Sequence, residues 1–133
     1  MAANTAPIFE LVPIDKGVQF TSADTTTKKS IVTGGTNGTR IDSIPCSTND
    51  TTAVNLAFYI NDVNGANVDI YIGVVALAIG TGYTTVPRVD AITTLSPVLG
   101  YLTLPVGAIL KAACVATMTA AKTTDVLAMG GDY

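Results

Sequence analysis

The chain has 133 residues, 48% of them hydrophobic and 13% charged, with a formal net charge of −3. That charged share is about half the usual ~25%, which excludes an intrinsically disordered chain, and the length sets one domain with a real core. There is no His, which removes Ser–His–Asp and Cys–His catalysis, His-ligated zinc and the 2-His-1-carboxylate iron site; the seven basic residues are scattered and make no stripe for nucleic acid.

The chain contains 21 Thr, while Glu10 is its sole Glu, a balance that favours strands and turns over helix surfaces. Residues 1–7 have neither a basic n-region nor an apolar h-region. They read as an N-terminal arm rather than a signal peptide. Ala2, Ala3, Asn4, Thr5, Ala6 and Pro7 are the first interface candidates, as residues that a neighbouring subunit would order. A single domain is expected over 8–133. Ile8 to Val12, between Pro7 and Pro13, is a candidate strand, and Gly17 to Thr21 a second short one. Lys28 to Thr33, the turn Gly34 to Gly38, and Thr39 to Ile44 predict a hairpin.

The clearest period of two runs through Val54, Leu56, Phe58 and Ile60, with Asn55, Ala57 and Tyr59 on the opposite side. Val68, Ile70, Ile72 and Val74 predict a second core face, and the Asn64-Gly65 turn joins the two strands as a hairpin. On this register Tyr59, Tyr71 and Val75 face outward. The run from Ile70 to Ile79 is ten residues, too short to span a bilayer as a helix, so no membrane partner is expected. Gly80 to Tyr83 reads as a loop or bulge, and Pro87 and Pro97 mark irregular or edge backbone. Tyr101 to Leu104, Ile109 to Ala116 and Thr123 to Met129 follow as strands, and the Ala-rich stretch Ala112 to Ala121 reads as strand–turn–strand rather than helix. The expectation is all-β: an antiparallel, jelly-roll-like β-sandwich of about 8–10 short strands.

No chemical motif stands out. Asp62 to Asp69 superficially resembles a calcium loop, but its Gly falls one residue early and no Glu closes it, so it reads as a turn. Neither Gly34 to Thr39 nor Gly80 to Thr85 completes a phosphate-binding pattern. Asp69 and Asp90 are the carboxylates one would nominate for glycosidase work, yet nothing sets them apart from Asp15 or Asp125. Cys46 and Cys114 read as small buried hydrophobes. No catalytic residue, cofactor or metal is expected. Tyr59, Tyr71 and Tyr83 are the best-placed side chains for an interface, since Tyr joins a large apolar body to a hydroxyl.

Several segments together carry a resemblance. They are the Thr/Ala/Pro arm Ala2 to Pro7, the turn and strand Gly35 to Asp42, the strand Leu56 to Asp62, the turn Leu104 to Leu110, and the ending Gly130 to Tyr133. In this layout the chain resembles small virion proteins of tailed bacteriophages and prophages. The resemblance implies a jelly-roll or related sandwich that acts without catalysis, first of all as a head decoration (cement) protein stabilising the outer capsid lattice. It implies a homo-oligomer with a trimer as the leading order, the major capsid protein or other virion proteins as partners, and a place in the virion after assembly in the bacterial cytoplasm. Tail, neck or baseplate components are the neighbouring role. Gly80 to Leu99 departs from the minimal pattern as an elaborated loop. A carbohydrate- or receptor-binding β-domain is the rival reading, with Tyr83 and Tyr101 as stacking platforms.

Overall fold

A computed structural model describes residues 12–61, 65 and 67–133. It contains ten strands among the described residues: β1 (Val12–Thr21), β2 (Lys29–Thr33), β3 (Thr39–Ser43), β4 (Pro45–Thr48), β5 (Val54–Asn61), β6 (Asp69–Leu77), β7 (Val89–Asp90), β8 (Leu102–Leu104), β9 (Ile109–Cys114) and β10 (Thr123–Asp132). One short α-helix, α1 (Ile92–Leu95), and a 3-10 turn at Ser22–Asp24 interrupt them. The arm Ala2 to Pro7 and most of the candidate strand Ile8 to Val12 lie outside the described residues.

All pairings among the described residues are antiparallel. One sheet runs β2-β9-β5-β6. In the other, β10 pairs with β1 from Thr123 to Asp132. Its opposite edge takes β4 at Thr124 to Val126 and β3 at Met129 to Asp132, with β8 beyond β3 and β7 beyond β4. The first described strand thus pairs with the last, and the six-stranded and four-stranded sheets pack against each other as a β-sandwich. The close approach of β3 requires Gly130, where a Cβ would stand 1.9 Å from the Arg40 carbonyl oxygen.

Lys28 to Ile44 is not a hairpin. β2 pairs with β9 in the small sheet, and β3 pairs with β10 and β8 in the large one. The intervening glycines form a corner between sheets. Gly34 donates its N–H to Ala108 O at 2.8 Å, and Gly107 returns one to Gly34 O at 3.0 Å. Residues 105–108 are themselves the crossing from β8 to β9, so the two crossings are bonded to each other. Pro13, expected to bound a strand, lies inside β1. It is tolerated because β1 is an edge.

The hairpin β5–β6 forms, but its facing differs from the expectation. The register runs Leu56↔Val75 and Phe58↔Gly73, then Tyr59↔Tyr71, so Ile72 is an extra residue in β6. Such a bulge reverses which residues face inward on either side of it. Val75 is therefore core at 1% exposure and Val74 is exposed, whereas Ile70 keeps its expected side opposite Ile60 but is exposed there. The core proper is Phe20, Ile41, Ile44, Leu56, Phe58, Leu77, Leu104, Leu110 and Val126 with their neighbours. Cys46 and Cys114 are free, buried thiols; burial pushes Cys46 up to about 12 and Cys114 up to about 11, which leaves them unreactive at neutral pH.

Buried hydroxyls tie the second pair of crossings. Thr124 donates to Thr48 Oγ1 at 2.9 Å, and Thr123 N–H donates to Asn49 Oδ1 at 2.8 Å. Asp50 is 1% exposed and accepts from Thr119 Oγ1 (2.6 Å), Thr119 N (3.0 Å), Thr52 N (3.0 Å) and Thr52 Oγ1 (3.1 Å). Burial alone opposes its ionisation, yet the bonds from Thr119 and Thr52 outweigh this and hold the carboxyl at about 2, below the usual 3.8. A carboxylate depressed on folding stabilises above its unfolded pKa, and that stabilisation is lost as pH falls through the folded value. The Asp50 contribution, about 2 kcal/mol at 1.36 kcal/mol per unit, should be complete above pH ~4 and fade towards pH ~2. Urea unfolding of wild type and Asp50→Asn at neutral and acid pH should therefore converge as pH falls; a constant gap would contradict it.

Candidate functional site

Alternation along β10 turns Thr124, Val126 and Ala128 inward and leaves Asp125 and Leu127 on the outer surface of the large sheet. Register then aligns Gln19, Asp125 and Ser47 as one rung across β1, β10 and β4. Gln19 Nε2 donates to Asp125 Oδ1 at 2.8 Å. Tyr83 Oη donates to Asp125 Oδ2 at 2.9 Å. Tyr83 reaches this rung from the turn that carries the chain from β6 back to β7. Thr81, fully buried, holds that turn by donating from Oγ1 to Ala78 O at 2.7 Å and accepting at its carbonyl from Thr48 N at 2.8 Å. Gly82 adopts φ +81° and lies so close that a Cβ would stand 2.7 Å from Ser47 Cβ and 3.0 Å from Arg88 Cγ.

The result is a surface cleft of about 490 Å3, with Gln19, Ser47, Tyr83, Arg88 and Asp125 as its polar lining and Val18, Val126 and Leu127 as its apolar part. The hydrogen bond to Asp125 and its negative charge raise the Tyr83 phenol above its ordinary 10.0, so it is a neutral donor at physiological pH. Arg88 makes no hydrogen bond or ion pair among the described residues. The cleft therefore presents a fixed carboxylate, an exposed ring and an unpaired guanidinium within one concavity.

The other two tyrosines lie on the opposite sheet. Tyr59 and Tyr71 are cross-strand partners on the outer surface of β5 and β6, with ring centroids 5.9 Å apart at 66°. Lys28 Nζ sits 4.1 Å from the Tyr59 ring centroid and 3.2 Å from Asp69. Asp69 also binds Lys111 at 3.1 Å and accepts from Asn61 Nδ2 at 3.0 Å. The Asn61 bond and then the two lysines hold its carboxyl at about 2. Tyr101 is occupied by Arg40, whose guanidinium lies 4.1 Å from the ring centroid, and does not join Tyr83. Asp69 and Asp90 lie in different sheets. Asp90 serves the chain path: it accepts from Ser43 Oγ, Ile44 N and Ile92 N at 2.9, 2.8 and 3.1 Å.

Gln19, Ser47, Arg88 and Asp125 went unmarked in the sequence. Gln19 and Asp125 stand 106 positions apart, and only the β1–β10 register joins them. The one local signal was Gly80-Thr81-Gly82-Tyr83, a tight turn that ends in an aromatic residue. Among the described residues no group of three or more His, Cys, Asp or Glu could hold a metal ion. Compared with family models, curated proteins and solved structures, the chain matches none.

Gly82→Ala should disturb the cleft first, because the new methyl meets Ser47 and Arg88 at a positive φ. The expected cost is about 1–3 kcal/mol, together with loss of the Tyr83–Asp125 bond. Thermal unfolding reads the first, and a fall of the Tyr83 phenol pKa towards 10.0 reads the second.

Proposed function

We propose that this protein is a non-enzymatic structural component of a bacteriophage virion, first of all a decoration protein seated on the outer capsid lattice as a homo-oligomer. The observation that carries this reading is the apolar surface left uncovered on a chain with so few charges. Val98 is 93% exposed and Leu99 65% exposed at the turn after α1. Along β6, Ile70, Tyr71 (57% exposed) and Val74 are exposed, with Val68 just before them. Exposed apolar surface on this scale is covered in symmetric assemblies, and repetition over a lattice lets modest contacts act many times at once.

The β-sandwich supports the reading when its strand orders are taken as a jelly roll, a fold used by capsid proteins and shared by lectins and cupins. The sequence resemblance supplies the particle. Val98 and Leu99 touch little of their own fold, so Val98→Asp with Leu99→Asp should leave the unfolding midpoint within about 0.5 kcal/mol of wild type. The wild type should scatter light as a closed oligomer or co-sediment with DNA-free tailed-phage heads, and the double variant should lose that association. A wild-type monomer that also fails to co-sediment would overturn the proposal.

A further inference from the structure

We infer that the cleft beneath Tyr83 is a binding site for an acidic saccharide, a pyranose unit that carries a carboxylate. This goes beyond the assembly reading and does not rest on it. The cleft measures about 490 Å3, within the ~300–1,000 Å3 range of small-molecule sites.

Three of its groups define the ligand. Asp125 has accepted one bond on each oxygen, from Gln19 and from Tyr83. A carboxylate offers about four acceptor sites, so two remain, and neighbouring sugar hydroxyls supply donors in that spacing. The Tyr83 ring is 52% exposed, and its hydroxyl is tethered to Asp125. The position of the ring is thus tethered before a ligand arrives, which reduces the ordering cost of stacking an apolar sugar face on it. Arg88 is the third group: an exposed guanidinium in the lining with no ion pair among the described residues. Its planar fork matches a carboxylate in bidentate fashion.

Alternative ligand chemistries leave one of these groups unused. A neutral sugar leaves Arg88 without a partner. Sulfate has no hydroxyl donor for Asp125, and neither phosphate nor sulfate has an apolar face to stack on the Tyr83 ring. A sugar with a carboxylate engages all three.

The test is a nuclear magnetic resonance titration of the full chain with two matched pairs: digalacturonate against its neutral methyl ester, and sialyllactose against lactose. Acetate is the control for a bare carboxylate. At least one acidic member should shift the amides of Val18, Gly82 and Asp125 and bind about tenfold or more tightly than its neutral partner. Arg88→Gln should abolish that preference. Tyr83→Ala should weaken both members about tenfold, and Tyr83→Phe should keep the stacking and lose part of the affinity. Lys122→Gln, whose side chain does not line the cleft, should leave these shifts as they are. Variants are compared only where their unfolding midpoints match wild type.

Three outcomes would overturn the inference: no shift from either acidic sugar at about 10 mM, equal binding of acid and neutral partner, or acetate reproducing the shifts at Val18, Gly82 and Asp125. An oligomer on phage heads that binds no acidic sugar would leave the assembly proposal standing, and a sugar-binding monomer that ignores heads would overturn that proposal alone.

Discussion

Every long pairing of the large sheet passes through β10. It bonds to β1 along its whole length and to β4 and β3 on its other edge. The chain's last strand therefore closes a sheet opened by its first described strand. Such non-local pairing loses loop entropy before contacts return it, which makes folding slow relative to a helical protein of this size. It also makes Thr124 to Val126, near the start of β10, the place where β1, β10 and β4 must meet. The rung Gln19, Asp125 and Ser47 lies there, so the cleft inherits its geometry from the most constrained strand in the molecule. A polar site on such a strand is held more rigidly than one on loops alone.

Crossings between the sheets follow a second regularity. The corner at Gly34 bonds to the turn at Ala108, and the Asp50 segment bonds to Thr119. The turn at Thr81 bonds back to Thr48. In each case buried main-chain groups find partners on another crossing or on the strand beside it, as buried polar groups must. This accounts for the Thr-rich composition in part. Thr39, Thr48, Thr81 and Thr124 are buried, and their hydroxyls satisfy backbone and side-chain groups where the ladders stop. The methyl of the same residue packs like a small hydrophobe, so the chain keeps its interior satisfied with few ions.

Much of this was legible in the sequence. The period of two in Val54 to Ile60 located β5, its inner face and its hairpin partner, because side-chain alternation is a local property of one strand. The inner face of β6 was not legible, since the extra residue Ile72 shifts the register midway and a run of apolar residues hides the shift. The same limit explains the expected hairpin at Gly34 to Gly38. A glycine-rich turn has one local appearance whether it returns to the neighbouring strand or crosses to the facing sheet, and only distant strands decide between them. Asp125 was invisible for a related reason: a lone Asp in a strand gains meaning from Gln19 and Tyr83, and neither is near it in the chain.

The two edges formed by β1 and β6 are managed differently. β1 carries Pro13, Asp15 and Lys16, residues that discourage pairing with another chain. β6 carries Asp69 near its start and no Pro or Lys. Its protection comes from the bulge at Ile72 and from α1, whose Leu95 lies against Gly73. That protection shields the strand's middle while Ile70, Tyr71 and Val74 stay exposed. The polar cleft and this apolar strand lie on opposite sheets. A partner covering β6 would therefore leave the cleft of β1, β4 and β10 open to solvent, so one small domain can join an assembly through one sheet and present a ligand site on the other.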